Sequence, residues 1–258
     1  MSVTIANNTI TFGEQTYIPA LPIQDGLAYE LDTSVYTEGD IGIYEKQNNT
    51  LFSLYRGNIA PEYSSDSRGV FNFNGVNTGL SGYYNAVQFP SDYVNLNYAN
   101  AAYYSCSISV WVKPQSTSSQ VFYCEGNYQN GLSLGLSASN YIATFCSSSV
   151  IERIQSQATS SIGSWTNITG TYESGSLSLY VNGVLVNQTS SNIIPPFLQG
   201  SVAPTIGYSN TSFMSVPINL SLTDFFTGSF GLFLKYTKAL TASEVLQNYN
   251  ATRIRFGL

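Results

Sequence analysis

Residues 165–188, WTNITGTYESGSLSLYVNGVLVNQ, carry the pattern of a β-hairpin. Before the middle of this stretch, apolar and polar residues alternate, as they do in a strand with one buried face. The apolar members of the alternation are Leu177, Leu179 and Val181. Asn182 and Gly183 follow, and both tolerate the positive φ that a two-residue type I′ turn requires. The stretch therefore predicts two antiparallel strands joined at Asn182 and Gly183.

The turn also predicts the register of the hairpin. It places Val181 opposite Val184 and Leu179 opposite Val186, which keeps the apolar residues on one face across the turn. Residues 173–175, Glu-Ser-Gly, are a second turn signal, so residues 165–172 are predicted to add a third strand. A three-stranded meander requires a second layer over its apolar face.

Short strands separated by turn signals recur along the rest of the chain. The strongest is residues 104–113, YSCSISVWVK, in which Trp111 lies opposite an apolar face and Pro114 ends the strand. Residues 229–236, SFGLFLKY, are predicted to place Phe230, Leu232 and Leu234 on one face. The other predicted strands are residues 3–5, 10–12, 27–31, 41–44, 52–54, 69–75, 87–89, 93–96, 120–124, 132–136, 141–145 and 205–208. This regularity is typical of an all-β sandwich or barrel.

One helix is predicted near the C-terminal end. Thr241-x-x-Glu244 matches a capping box, in which the Thr side chain accepts from the backbone N–H of Glu244 and the Glu side chain reaches back. Residues 242–249 then form about two helical turns, and residues 253–256 are predicted to be extended. No linker, low-complexity tract or internal repeat interrupts the sequence, which favours one domain.

Composition excludes several classes of function. The net charge is −6, and Arg253 and Arg255 are the nearest approach to a basic cluster, so nucleic-acid binding is not expected. No apolar run approaches the roughly 20 residues of a membrane-spanning helix, so membrane insertion is not expected either. The segment MSVTIANNTITF has no secretory-signal pattern. The chain has no His, which removes Ser-His-Asp and Cys-His catalytic centres.

Cys106, Cys124 and Cys146 leave two redox states open. Their spacing matches no metal site, and an odd number argues against a dedicated disulfide framework. Buried reduced thiols are favoured, as in a protein made in the cytosol. One disulfide with one remaining thiol is the alternative.

The central hairpin is similar to the most recognisable segment of laminin-G-like domains in the concanavalin A-like lectin/glucanase superfamily. The resemblance extends over nearly the whole chain, through GLAYELDTSVYTEGD (26–40), GVFNFNGVN (69–77), SCSISVWVKP (105–114) and FTGSFGLFLKYTKALTASEVLQNYNATRIRFGL (226–258). It implies an all-β fold, a two-sheet antiparallel jelly-roll sandwich with one short C-terminal helix. Residues 1–22 would be an N-terminal arm and residues 23–258 the jelly-roll domain.

The sequence differs from the family in the acidic residues that could bind a metal ion. The acidic position of the family's Phe-Asp-Gly motif is Asn72 or Asn74 here. Calcium in such domains is bound by loop carboxylates and carbonyls. The loop acids of this chain are scattered, so calcium is left open as a cofactor and no metal ligands are assigned; these acids are Asp92, Glu125 and Asp224.

The resemblance to the family's glucanases also implies glycoside hydrolysis, which this sequence does not support. Glycoside hydrolysis needs two carboxylates about 5–10 Å apart, and glucanase members carry them on one strand. No predicted strand of this chain carries two acids, since Glu152 stands alone in VIERI and Glu125 abuts a turn. The chain is therefore not expected to be an enzyme.

Two classes of function remain, because a fold does not fix a function. The favoured one is a virion structural protein, a capsid decoration (cement or surface) protein of a tailed phage, made in the host cytoplasm and located at the virion surface. Domains that end in Asn-Tyr-Asn-Ala-x-x-x-Arg-Phe-Gly-Leu resemble ones found in phage virion proteins. A chain with 9% charged residues and 20 Tyr also suits a packed assembly. The alternative is a carbohydrate-binding lectin module, or a tail or fibre adhesin for host-surface glycans.

The sequence also predicts a sugar site and partners. The site lies in loops at one rim, where Tyr128, Asn130, Tyr208 and Asp224 combine stacking rings with amide and carboxylate groups. The expected partners are the major capsid protein or tail proteins, other copies of this chain, and cell-surface glycans. The segment before Pro22 is predicted to be the contact arm of a symmetric oligomer.

Overall fold

Strands dominate the described part of the chain. The computed structural model describes residues 3–6, 9–12, 15–17, 21–36, 42–44, 46, 51–54, 61–76, 80–82, 105–126, 130–147, 150–159, 161–190, 205–208 and 225–258. The strands found there, numbered in chain order, are β1 Val3–Ala6, β2 Thr9–Phe12, β3 Gln15–Tyr17, β4 Leu27–Asp32, β5 Gly42–Tyr44, β6 Leu51–Leu54, β7 Glu62–Ser64, β8 Val70–Asn74, β9 Leu80–Gly82, β10 Ser105–Pro114, β11 Gln120–Gly126, β12 Asn130–Ser137, β13 Asn140–Ser147, β14 Val150–Thr159, β15 Thr166–Glu173, β16 Ser176–Val181, β17 Val184–Ser190, β18 Thr205–Ile206 and β19 Thr227–Tyr236. Helix α1 is Ala242–Thr252, and short 3-10 turns are Thr33–Val35, Asp66–Arg68 and Arg253–Phe256.

The strands form two eight-stranded antiparallel sheets and a small third sheet. Sheet I has the order β17-β16-β15-β10-β19-β8-β7, and β4 pairs with the second half of β19. Sheet II has the order β14-β13-β12-β11-β18-β9-β6-β5. Strands β1, β2 and β3 form a separate sheet. This architecture confirms the predicted two-sheet antiparallel fold with a short C-terminal helix.

The hydrophobic core lies between sheets I and II. Alternate side chains of β10 and β12 point into it, as the pleat of a strand requires. In β10 the core-facing residues are Cys106, Ile108, Val110 and Val112, whereas Trp111 faces the other side, as the sequence predicts. In sheet II, β12 contributes Leu132, Leu134 and Leu136. Each fully buried large apolar side chain contributes about 1.5–3 kcal/mol, so this layer holds the two sheets together.

Helix α1 covers the outer face of sheet I. Its capping box forms as predicted: Thr241 Oγ1 accepts from Glu244 N, and Glu244 Oε2 accepts from Thr241 N at 2.8 Å. The Trp111 ring stacks with the rings of Tyr249 and Phe256, whose centroids lie 5.7 and 4.4 Å away. The helix therefore closes the side of sheet I that faces away from the core.

The predicted hairpin forms at Asn182 and Gly183. Both residues have positive φ, 52° and 78°, and Val181 lies opposite Val184. The prediction for the next pair is wrong. A bulge between Leu179 and Tyr180 places Leu179 opposite Asn187 rather than Val186. Alternation within one strand does not reveal a bulge, because the extra residue belongs to its partner.

A second bulge reverses part of the prediction for β19. Phe230 faces the core, whereas Leu232 and Leu234 face helix α1. The pairing with β10 shifts register at this point, which makes Gly231 the additional residue. A Cβ at Gly231 would collide with the ring of Phe256. The bulge thus lets the C-terminal segment pack closely against the sheet.

The C-terminal end also differs from the prediction, because Arg253–Phe256 is a 3-10 turn and not an extended segment. The turn brings the Arg255 guanidinium to the end of β4. There Nη1 donates to Asp32 Oδ1 at 2.6 Å, and Nη2 donates to Gly69 O at 2.8 Å. This ion pair fixes the end of the chain to sheet I, a contact between residues too distant in sequence for local patterns to predict.

Several smaller predictions can also be compared with the structure. Residues 56–68 are polar and favour a loop, yet Glu62–Ser64 forms the edge strand β7. The three cysteine side chains are buried, as expected, and their redox state stays a prediction. Residues 87–89 and 93–96 lie outside the described residues. In the part of the chain that is described, no helix is both long enough and apolar enough to cross a membrane.

Candidate ligand-binding surface

The face of sheet II that points away from the core carries small side chains at its centre. Strand β12, NGLSLGLS, alternates strictly between core-facing leucines and small residues. The small residues on its outer face are Gly131, Ser133, Gly135 and Ser137. Both glycines that flank Ser133 are buried, and a Cβ at Gly135 would collide with Gln120 O of β11.

Cross-strand register aligns polar side chains on this outer face. Ser133 pairs with Thr144, and Thr144 pairs with Arg153. Directly paired residues project to the same side of an antiparallel sheet. Because neighbouring strands lie about 4.8 Å apart, the three residues form a row about 10 Å long across β12, β13 and β14. Ser133, Thr144 and Arg153 are called the polar row below.

Each member of the polar row has a buried polar atom with no hydrogen-bond partner. The atoms are Ser133 Oγ, Thr144 Oγ1 and Arg153 Nε, and they are the only such side-chain atoms within the described residues. Native proteins pair the large majority of buried polar atoms. Leaving one unpaired costs about 1–3 kcal/mol. All three such atoms therefore lie in one row, where the described structure leaves their hydrogen-bonding capacity unused.

Elsewhere in the described part of the sandwich, buried hydroxyls are paired. On the outer face of sheet I, Thr169 Oγ1 donates to Ser109 Oγ at 2.8 Å. The side-chain amide of Asn167 donates to Ser109 Oγ at 3.0 Å and to Val110 O at 3.2 Å. Unpaired hydroxyls are therefore a local property of the polar row, and not a general feature of buried Ser and Thr in this fold.

Arg153 brings a positive charge to one end of the polar row. Its Nη2 donates to Gln155 Oε1 at 3.4 Å, and within the described residues it forms no ion pair. Burial lowers the pKa of the Arg153 guanidinium, which still remains charged at neutral pH. Ser133 and Thr144 are fully buried, Arg153 is half-buried and Gln155 is exposed. Exposure therefore increases along the row toward β14, the edge strand of sheet II, although Arg153 Nε is itself buried.

Two of the four predicted sugar-site residues lie in the described part of the chain. Tyr208 is 6% exposed, and its ring stacks on Phe225 with the centroids 6.0 Å apart. It follows Gly207, whose N–H donates to Phe122 O near the start of β11. Asn130 begins β12, beyond the opposite end of β11.

The structure does not bring Tyr208 and Asn130 together. About six residues of strand separate them along β11, which corresponds to roughly 20 Å. Tyr128 and Asp224 lie outside the described residues. The four-residue rim site therefore stays a prediction, and it is distinct from the polar row.

Two described acids share one strand, although the sequence predicts no strand with two acids: β4 extends to Asp32 and so carries Glu30 and Asp32, and Lys46 Nζ donates to both, at 2.7 and 3.0 Å. No group of three or more His, Cys, Asp or Glu residues that could hold a metal ion occurs among the described side chains. Glu152 pairs with Phe145, whose ring faces the core, and so it lies on the opposite side of β14 from Arg153. The polar row thus consists of two hydroxyls and one guanidinium.

The polar row was not predicted from sequence, although part of its signal is visible there. The outer-face alternation of Gly and Ser in NGLSLGLS marks a strand whose second face is unusually small. The alignment of Ser133, Thr144 and Arg153 depends on the register of three strands, and the sequence does not specify that register.

A family model described as the concanavalin A-like lectin/glucanases superfamily matches residues 81–246, well over half of the chain. Among solved structures, the binding domain of Paraclostridial Mosquitocidal Protein 1 is similar at 17% identity and a TM-score of 0.64, over 88% of this chain and 52% of that chain. The receptor binding domain of botulinum neurotoxin C/D mosaic serotype has 13% identity and a TM-score of 0.62, over 88% and 51% of the two chains.

A third similar structure is domain 4 of AbnA, a GH43 extracellular arabinanase from Geobacillus stearothermophilus, in complex with arabinotriose. It has 18% identity and a TM-score of 0.55, over 86% of this chain and 98% of that chain. The chain spans about half the length of the two toxin domains. Identities this low show a shared fold alone. No curated protein sequence matches the chain.

Proposed function

Because this chain belongs to the concanavalin A-like lectin/glucanase superfamily, we propose that it is a lectin-like module that binds carbohydrate without catalysing a reaction on it. The observation that carries the proposal is the polar row, with its three buried polar atoms left without partners. Saccharide hydroxyls both donate and accept hydrogen bonds, so they match the hydroxyls of Ser133 and Thr144 and the donors of Arg153.

The comparisons support binding in a general sense. Two of the similar structures are toxin binding domains, and the third was solved with arabinotriose bound. A ligand that pairs the three atoms removes the free-energy cost of leaving them unpaired. This cost in the unliganded protein is the kind of local conflict that folded chains tolerate at functional sites.

A glycan array tests the proposal directly. Wild-type protein is compared with the double variant Ser133→Ala/Thr144→Val and with Ser137→Ala, a control on the same strand and face. We expect binding to at least one glycan class, loss of that binding in the double variant, and retention in the control. Absence of binding to any glycan would refute the lectin assignment.

The proposal that the protein catalyses no reaction on its ligand is tested separately. Incubation with a panel of β-glucans should release no reducing ends above background. Release that is abolished by Glu152→Gln or Glu125→Gln would show that the protein is a hydrolase.

The predicted rim site offers a second location for the same function. Tyr128→Ala and Asp224→Asn should weaken glycan binding if the ligand contacts the rim, and the effect should depend on added calcium if loop acids bind the ion. Binding that is sensitive to these variants and insensitive to the polar-row variants would move the site to the rim.

We further propose that the module acts on the surface of a tailed-phage particle, as a capsid decoration protein. Its support is compositional: 9% charged residues and 20 Tyr provide a surface suited to packed assembly. The competing role is a tail or fibre adhesin, in which the same site contacts host glycans. Immunogold labelling of purified particles separates the two, with label on the capsid expected and label confined to the tail favouring the adhesin.

A further inference from the structure

We propose that the indole of Trp165 forms a second saccharide site, in which it stacks against a sugar ring of a neutral β-linked glucan. This inference rests on the proposed lectin function, and it adds a site and the class of ligand that the site binds. Trp165 packs on the outer face of sheet I, whereas the polar row lies on the outer face of sheet II. The two sites are therefore on opposite sides of the sandwich.

The chain has two tryptophans, which differ in exposure and in hydrogen bonding. Trp111 is 1% exposed, and its Nε1 donates to Thr252 Oγ1 at 2.9 Å. Trp165 is half-buried, and its Nε1 has no hydrogen-bond partner within the described residues. In the described structure, the buried polar side-chain atoms without a partner are those of the polar row alone. The Nε1 donor of Trp165 therefore reaches solvent.

The six-membered ring of the Trp165 indole packs against the protein. The ring centroids of Trp165 and Phe256 lie 4.6 Å apart. A Cβ at Gly231 would lie 3.4 Å from Cη2 of Trp165, an atom of the six-membered ring. Nε1 belongs to the five-membered ring, which is the end that reaches solvent. These contacts fix the indole before a ligand arrives, so binding costs little side-chain entropy.

The turn before Trp165 leaves the approach to the indole open. Residues 161–164 are all exposed, and a Cβ at Gly163 would meet nothing within 4 Å. Gly163 N donates to Pro114 O at 2.7 Å, which fixes the turn at the end of β10. The first and last residues of the turn are serines whose exposed hydroxyls have no partner within the described residues. The turn thus offers two hydroxyls to a ligand that lies on the indole.

The surface around Trp165 favours a neutral ligand. No Asp, Glu, Lys or Arg occurs between Arg153 and Glu173 in the sequence. In a β-linked glucan the hydroxyls lie at the edge of each sugar ring and leave its two faces apolar. An apolar face packs on an indole, and hydroxyls at the ring edge accept from Nε1 and pair with the serines.

The test is titration of the full chain with cellohexaose, a neutral β-linked glucan, followed by calorimetry and by tryptophan fluorescence. Binding should move the emission maximum of the wild type to shorter wavelength, because the sugar displaces water from Trp165. The emission of Trp165→Phe should not move, since Trp111 is buried. Trp165→Ala should weaken binding roughly 10-fold, and Trp165→Phe about 5-fold, because it keeps a ring but loses the N–H donor. The control is Tyr249→Phe, which removes a polar atom from another half-buried ring of the same cluster and should bind like the wild type.

The outcomes separate this site from the lectin assignment. Cellohexaose binding that is unchanged in Trp165→Phe, or that leaves the wild-type emission unchanged, would refute the Trp165 site and leave the lectin assignment standing. Failure of cellohexaose to bind, when the glycan array finds other ligands, would also refute the site. Trp165→Ala loses the contact with Phe256 as well, so the emission of the wild type and of Trp165→Phe decides the result if that variant does not fold. If the array finds no ligand and cellohexaose does not bind, both proposals fail together.

Discussion

Thr144 and Thr169 are a matched pair of residues, and substituting them measures how much stability an unpaired hydroxyl of the polar row costs. Both are buried strand threonines on the outer faces of their sheets, but the hydroxyl of Thr144 has no partner and that of Thr169 donates to Ser109. We expect Thr144→Val to raise the free energy of unfolding by about 1 kcal/mol and Thr169→Val to lower it by about 1 kcal/mol. Urea unfolding measures both. Equal destabilisation by the two substitutions would contradict an unpaired Thr144 hydroxyl.

At Thr144, the stability of the unliganded protein and the affinity for glycan are expected to change in opposite directions. A substitution that stabilises the unliganded protein and weakens glycan binding is expected where binding groups have been left unpaired for a ligand. Thr144→Val should therefore separate the two properties. Thr169→Val, which lies in the other sheet, should leave affinity unchanged.

Asp32 is the residue whose charge state ties stability to pH. It accepts from Arg255 Nη1 at 2.6 Å and from Lys46 Nζ at 3.0 Å. Burial raises the pKa of Asp32, but the positive charge of Arg255 and the hydrogen bonds from Ser34 outweigh burial, so the pKa lies below its usual value of 3.8. A carboxyl with a depressed pKa stabilises the fold above its unfolded pKa, and this contribution is lost as pH falls through the folded pKa.

Asp32→Asn should lower the free energy of unfolding by about 3 kcal/mol at pH 7, because it leaves Arg255 partly buried without its counter-ion. The difference from wild type should shrink as pH falls below about 4. The control is Asp25→Asn, since Asp25 forms an ion pair with Lys238 at 2.6 Å but its side chain is 84% exposed. That change should cost less than about 1 kcal/mol. Denaturant unfolding at pH 7 and pH 3 measures both, and a pH-independent cost of Asp32→Asn would contradict the assignment.

At the scale of elements, the hairpin turn and helix α1 depend on each other. Gly183 has a φ of 78°, and a Cβ there would lie 3.0 Å from Tyr249 Cβ and 3.1 Å from Leu246 Cδ1 of the helix. Gly163 has a similar φ of 74°, but a Cβ there would meet nothing within 4 Å. The two glycines therefore separate backbone strain from crowding.

Gly163→Ala should cost about 1 kcal/mol from backbone strain alone. Gly183→Ala should cost at least about 1 kcal/mol more, because it also pushes helix α1 away from β17. Thermal unfolding followed by circular dichroism measures the two losses. Similar melting temperatures for the two variants would show that the turn and the helix are not coupled.

The elements also show how far the sequence predicts this fold. Alternation identified β10, β12 and β16 because each has one face in the core, and the Asn-Gly turn and the capping box are local signals that formed as predicted. The prediction that Phe230 shares a face with Leu232 and Leu234 is wrong, because the bulge at Gly231 depends on packing against Phe256, far away in the sequence. The polar row was missed for a related reason, since only the register of β12, β13 and β14 brings Ser133, Thr144 and Arg153 together.

At the scale of the whole molecule, the two large sheets and the N-terminal sheet have separate hydrogen-bonding networks in the described structure. Strands β1–β3 pair with one another, and β4 is the first strand to join sheet I. Residues just after the third sheet are tied to helix α1, because Gln247 Nε2 donates to Leu21 O at 3.1 Å and Ile23 N donates to Asn248 Oδ1 at 2.7 Å. A deletion that ends before Leu21 therefore preserves these contacts.

Deletion of residues 2–20 tests the proposal that the N-terminal arm mediates assembly. The sandwich should keep its melting temperature, since its sheets and the Leu21 and Ile23 contacts remain. We expect the deleted protein to lose its oligomeric mass in light scattering, and to disappear from purified particles analysed by mass spectrometry. The reason is that identical subunits usually associate with closed symmetry, and a strand-forming arm can pair with the edge of a neighbour's sheet. The control is the glycan-binding variant Thr144→Val, which should incorporate normally. Unchanged mass and incorporation after deletion would refute the arm, whereas a full-length protein that is monomeric and missing from virions would refute the virion role itself.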